Sequence, residues 1–275
     1  MPSTVRAGYH TRVLQAANLP KPDSTWPLSL PLVQRNDRVE FAAGITVLAG
    51  ENGSGKSTLL EALAVAADLP AAGSRDRPAD DLRLAGVRPL AEGMRLEWTA
   101  RSRRGLFLRA EDFLGYIREQ NARDTELKAD AERLRLENPD MPELELRRIQ
   151  GPYLAPVAAR ESRYQGDLDA RSHGESFLAF FQSRLSSRGL YLLDEPEAAL
   201  SPLRQLAFLS LLKESVAAGA QFIIATHAPI VMAAPGARLL ELRDGELVPT
   251  SFDELEHVRT LRAFLEEPEA YLRHL

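Results

Sequence analysis

Two stretches of the chain carry residue types that can hold a phosphate chain and cleave it. The first, Gly50-Glu51-Asn52-Gly53-Ser54-Gly55-Lys56-Ser57, matches G-x-x-x-x-G-K-[ST] at every fixed position. Its glycines let the backbone wrap an anion in conformations other residues avoid. A helix that follows directly aims its unpaired N–H groups and positive dipole end at the same place. Lys56 is expected to reach the β- and γ-phosphates, Ser57 to place its hydroxyl on Mg²⁺, and Thr58 to extend the helix start beside the α-phosphate. The second stretch, Gly189-Leu190-Tyr191-Leu192-Leu193-Asp194-Glu195-Pro196, is an apolar run that ends in two acids. Paired carboxylates at the tip of a buried strand are costly unless positive charge compensates them, and Mg·ATP supplies it. Asp194 is the expected Mg²⁺ ligand and Glu195 the expected general base beside the attacking water. His227, at the end of a third apolar run, is placed to contact the γ-phosphate.

These residues need a scaffold that gathers them. Residues 44–49, 190–193 and 221–225 read as short buried strands, with further strands at 94–100 and 105–108. Residues 57–67 and 177–185 read as helices, and 68–84 as a loop. Buried strands alternating with helices imply an α/β fold with a mainly parallel sheet covered on both faces. Residues 112–150 are highly charged. Leu127, Ala131 and Leu134 share a helical face there, but Pro139 and Pro142 stop it, so the stripe is expected to last barely two turns.

Composition narrows the classes. The net charge of −5, from 34 Lys+Arg against 39 Asp+Glu, argues against a globally basic nucleic-acid coat. The absence of cysteine excludes disulfides and thiolate metal sites and fits a reducing cytosol. No signal-type segment and no apolar run of about 18 residues appears, so a cytoplasmic protein without its own transmembrane segment is expected.

The motifs resemble the ABC ATPase superfamily. The run Leu192-Leu193-Asp194-Glu195-Pro196-Glu197-Ala198-Ala199-Leu200-Ser201 is similar to its Walker B and D-loop, and Thr226-His227 to its switch histidine. Ser172-His173-Gly174-Glu175-Ser176 resembles a variant of its signature, usually Ser-Gly-Gly-Gln. The strings resemble more closely still those of compact stand-alone bacterial ATPases related to repair and SMC-type heads. The resemblance implies a single P-loop domain over residues 1–275, with an antiparallel β part and a helical insertion at 112–171. It implies an ATP-dependent head-to-tail homodimer in which Ser172 and the Gly174 backbone meet the partner's γ-phosphate. It places the family's Q-loop at Arg109-Ala110-Glu111, where Glu111 would reach Mg²⁺ through water, with Gln120 the alternative. Trp26 and Phe41 are candidates to stack on adenine, although aromatic residues more often pack cores. The reading is an ATPase switch acting on an unknown protein or nucleic-acid partner. The alternatives are a transporter's motor subunit and a non-hydrolysing ATP-binding module.

Overall fold

The structure, a computed structural model, describes residues 13–41, 44–72, 81–102, 104–163 and 173–273, without the side chains of Glu111, Leu114 and His173. Its strands are β1 (Leu14–Asn18), β2 (Arg38–Glu40), β3 (Ile45–Gly50), β4 (Arg95–Trp98), β5 (Gly105–Arg109), β6 (Leu190–Asp194), β7 (Gln221–Ala225), β8 (Arg238–Arg243) and β9 (Glu246–Thr250). Its helices are α1 (Pro31–Arg35), α2 (Lys56–Ala66), α3 (Arg88–Gly93), α4 (Ala110–Glu137), α5 (Glu143–Arg163), α6 (His173–Arg184), α7 (Pro202–Ala217), α8 (Pro229–Met232), α9 (Glu256–Glu266) and α10 (Pro268–Leu272). The chain separates into two compact units, residues 1–110 with 185–275, and residues 111–184.

In the first unit six strands pair in the order β5-β6-β7-β3-β8-β9, all parallel except the edge strand β9. Every residue of β6 and β7 is buried, which is why both read as unbroken apolar runs rather than alternating ones. α2 lays Leu59, Leu60, Leu63 and Ala64 into the core. A smaller antiparallel sheet, β2-β1-β4, is tied to the larger one by a buried glutamine at the start of β7. Gln221 Oε1 accepts from Leu14 N at 2.7 Å, and its Nε2 donates to Leu14 O at 2.8 Å and Phe41 O at 3.1 Å. An amide that meets three backbone groups fixes the register between two sheets that share no strand.

The second unit is helical. The expected two-turn stripe proves to be part of a 28-residue helix, about 42 Å long at 1.5 Å per residue. The stop is where the prolines put it, after Glu137, but α4 begins at Ala110 and a second long helix, α5, follows. Paired polar groups supplement a thin line of buried apolar residues: Arg160 meets Asp124 at 2.6 Å, Lys128 meets Glu161 at 3.1 Å, and Gln150 Nε2 donates to Ala131 O at 2.8 Å. Near the start of α4, Phe113 packs edge-on against Phe177 of α6 at 5.0 Å. Among the described residues no helix is long and apolar enough to cross a membrane.

Candidate functional site

β3 is the central strand of its neighbourhood, and the glycine-rich loop leaves its end directly. Gly50 has φ +140°, and a Cβ there would lie 2.9 Å from the Leu242 carbonyl of β8, so only glycine lets the loop start this close to its neighbour. Gly55, at φ +107°, turns the chain into α2 with no side-chain hydrogen bond capping the helix start. The first N–H groups of α2 therefore stay available to an anion. Lys56 is buried and folds back over the loop, donating to Gly50 O at 2.8 Å, Glu51 O at 2.6 Å and Ser54 Oγ at 3.3 Å. Burial lowers its pKa, against the opposing pull of Glu195, Asp194 and Glu51. Thr58 lies in the first turn of α2, and Glu51, Asn52 and Gly53 are exposed at the loop's crest.

Ser57 and Asp194 come together across 137 positions of sequence: Ser57 Oγ donates to Asp194 Oδ1 at 3.0 Å. Asp194 is only 8% exposed, and burial raises its carboxyl to about 6, with the Ser57 hydrogen bond and the Arg109 charge working the other way. Arg109 stands opposite Asp194 in the β5–β6 register and pairs with Glu61 of α2. The resemblance names this arginine only as the first residue of the Q-loop stretch and gives it no role. The signal for it is positional, since it is the last residue of the strand beside the acidic one. A hydroxyl and an underprotected carboxylate side by side are a donor set suited to Mg²⁺, which takes one or two protein oxygens and completes its shell with phosphate and water. No cluster of three or more His, Cys, Asp or Glu forms a metal cage among the described residues.

Glu195 adopts φ 48° and ψ 50°, a left-handed conformation that costs a non-glycine residue energy and turns the strand tip sharply. Its N–H is held by Ala225 O at 2.9 Å, and its side chain projects half-exposed. His227 Nε2 lies 3.5 Å from Glu195 Oε1. Burial lowers the histidine's pKa, and Lys56 lowers it further, so the ring stays neutral at pH 7. Behind it stands a residue the sequence reading did not single out. Glu197 Oε1 accepts from Thr226 Oγ1 at 2.5 Å, from His227 N at 2.8 Å and from Ala228 N at 3.1 Å. It clamps the loop that carries the histidine.

The structure thus brings Lys56, Ser57, Asp194, Glu195 and His227 together at the carboxyl ends of the neighbouring strands β6, β7 and β3. Ser172 and the side chain of Glu111 lie outside what is described, while Gly174 is the second residue of α6 and Gln120 lies well inside α4. Phe41 is fully buried, and the Trp26 ring lies against Gly86.

An AAA-domain family matches residues 30–138, and a second AAA-domain family, whose description names the AbiEii toxin of type IV toxin–antitoxin systems, matches residues 176–233. No curated protein matches the chain. Among solved structures, the SMC head domain from Thermotoga maritima is 16% identical with a TM-score of 0.44, over 87% of this chain and 99% of that one. The cbiO1 protein from Clostridium perfringens, part of an ABC transporter complex, is 16% identical with a TM-score of 0.44, over 96% of this chain and all of that one. The two AAA matches take in the phosphate loop at one end and the His227 strand at the other, with Asp194 and Glu195 between. Over those two stretches the chain is similar to AAA-type domains, and its glycine-rich loop between β3 and α2 is that of a P-loop protein.

Proposed function

We propose that the protein binds and hydrolyses Mg·ATP in the cytoplasm, as a nucleotide-driven switch whose active form is a head-to-tail homodimer. The observation that carries this reading is the Ser57–Asp194 contact beside Glu195 and His227, at the mouth of a glycine-built anion loop. Ser57 and Asp194 would hold the Mg²⁺, which when bound neutralises charge on the β- and γ-phosphates. Lys56 exchanges the carbonyls of Gly50 and Glu51 for phosphate oxygens, a swap that keeps its buried ammonium satisfied throughout. The free N–H groups of α2 hold the phosphates in place. Glu195 accepts a proton from the attacking water, and neutral His227, fixed by Glu197, orients that water and the terminal phosphate. Ser172 and Gly174 would complete the site from a second copy, and the partner that reads the switch is a protein or a nucleic acid.

The test is the solution mass of the Glu195→Gln protein with and without Mg·ATP. Removing the base while keeping the shape traps bound ATP, so a shift from monomer to dimer on adding nucleotide is expected. A protein that binds ATP and stays monomeric would sink the homodimer and leave another chain to complete the site.

A further inference from the structure

The phosphate loop accounts for one half of a nucleotide. Ser57 and Asp194 fix the terminal-phosphate end on the β6 side of β3. On the other side, over the end of β8 and the β8–β9 turn, lies a cleft of about 1000 Å³. It starts at Gly53, Ser54 and His227, has α1 and the β8–β9 turn as its floor, and the first turn of α9 as its outer wall. The floor is firmly built. Asn36 Nδ2 donates to Gly245 O and to Leu32 O, both at 2.7 Å, while its Oδ1 accepts from Leu247 N at 3.0 Å. Gly245 sits at φ +88°, where a Cβ would come within 2.6 Å of Pro31, so the turn and α1 are locked in contact.

Three side chains on that floor are uncommitted. Gln34, Arg35 and Asp244 line the cleft, are exposed, and make no side-chain hydrogen bond or ion pair among the described residues. Glu241 and Arg243 beside them are paired with each other. The described rings on the cleft are the imidazoles of His227 and His257, 6.3 Å apart, and neither Trp26 nor Phe41 reaches it. We propose that this cleft is the nucleoside subsite, with Arg35 as the base platform in place of an aromatic ring. A guanidinium is planar and stacks on π-faces while its edge stays hydrated. Gln34 carries both a donor and an acceptor for the base edge, Asp244 accepts from ribose hydroxyls, and His257 closes the cleft from α9. This rests on the reading of the loop as a triphosphate site, from which the subsite runs outward.

The experiment measures binding of ATP and of inorganic tripolyphosphate to the full chain in Mg²⁺ by calorimetry. The wild type is expected to bind ATP more tightly than tripolyphosphate. Arg35→Ala is expected to weaken ATP roughly tenfold, the scale of a lost base stack, and to leave tripolyphosphate unchanged. Asp244→Asn is expected to weaken ATP but not 2′,3′-dideoxy-ATP. Equal losses for ATP and tripolyphosphate, or no loss in either variant, would overturn the subsite while leaving the phosphate site standing. A wild type that binds neither ligand would overturn both.

Discussion

Glu197 concentrates three donors on one oxygen, and that makes it the most consequential residue outside the phosphate site. Two of the donors are backbone N–H groups in the turn that carries His227. Deleting their acceptor strands the His227 N–H in a half-buried loop, at about 1–3 kcal/mol for an unsatisfied group, while the Ala228 N–H keeps Thr226 Oγ1 at 3.0 Å. Glu197→Ala should therefore lower the unfolding free energy by about 2 kcal/mol in urea. Glu197→Gln keeps one acceptor oxygen and should cost less than half as much. Equal losses in both variants would mean that charge rather than acceptor geometry holds the turn. Asp194 gives a pH-dependent counterpart. Its folded carboxyl titrates near 6, above the ordinary value of 3.8, so between those limits the folded chain binds more protons than the unfolded one. Stability from this group is then fully present at low pH and lost as pH rises towards and through 6. Asp194→Asn cannot ionise and should stabilise the nucleotide-free, Mg²⁺-free protein at pH 7.5, by at most on the order of 3 kcal/mol. The advantage should vanish near pH 4, and thermal midpoints across that range are the check.

The strands of the parallel sheet set Arg109, Asp194 and the phosphate loop in register, and one glycine guards that register at β5. Gly105 has φ +135°, and a Cβ there would lie 1.8 Å from the Leu190 carbonyl of β6. Gly105→Ala cannot be accommodated without opening the β5–β6 pair, so a loss of roughly 3 kcal/mol or more is expected in chemical denaturation. A near-neutral result would show that β5 can part from β6 without cost. The fully buried strands were legible in the sequence because their apolar runs do not depend on what packs against them. So was the phosphate loop, whose glycines are required by its own backbone. The length of α4 was not legible, since its stripe at Leu127, Ala131 and Leu134 is short and its remaining support comes from partners such as Glu161 and Gln150, remote in sequence. The roles of Glu197 and Arg109 were not legible for a related reason. Their partners, Thr226 and Asp194, become neighbours only when strands that are far apart in the chain pair side by side.

At the scale of the whole molecule, the proposed reaction needs more than the strand ends of one sheet. The anion loop, Glu195 and His227 sit in the unit formed by residues 1–110 and 185–275, whereas the stretch Ser172 to Ser176 belongs to residues 111–184. If that stretch completes the site of a second copy, single chains should bind nucleotide fully and turn it over poorly. Specific activity should then rise with protein concentration until dimers saturate. Ser172→Ala should leave the ATP affinity of dilute protein unchanged, because no contact within one chain is lost. It should lower turnover at high concentration by roughly tenfold, the loss of one hydrogen bond to a charged phosphate. Mixing Ser172→Ala with Lys56→Ala gives the sharper readout. Each heterodimer regains one complete site, with the intact loop of the first chain facing the intact Ser172 of the second. Activity in the mixture above the sum of the two variants is the expected outcome. Strict additivity would confine both residues to the same chain's chemistry and remove the shared site.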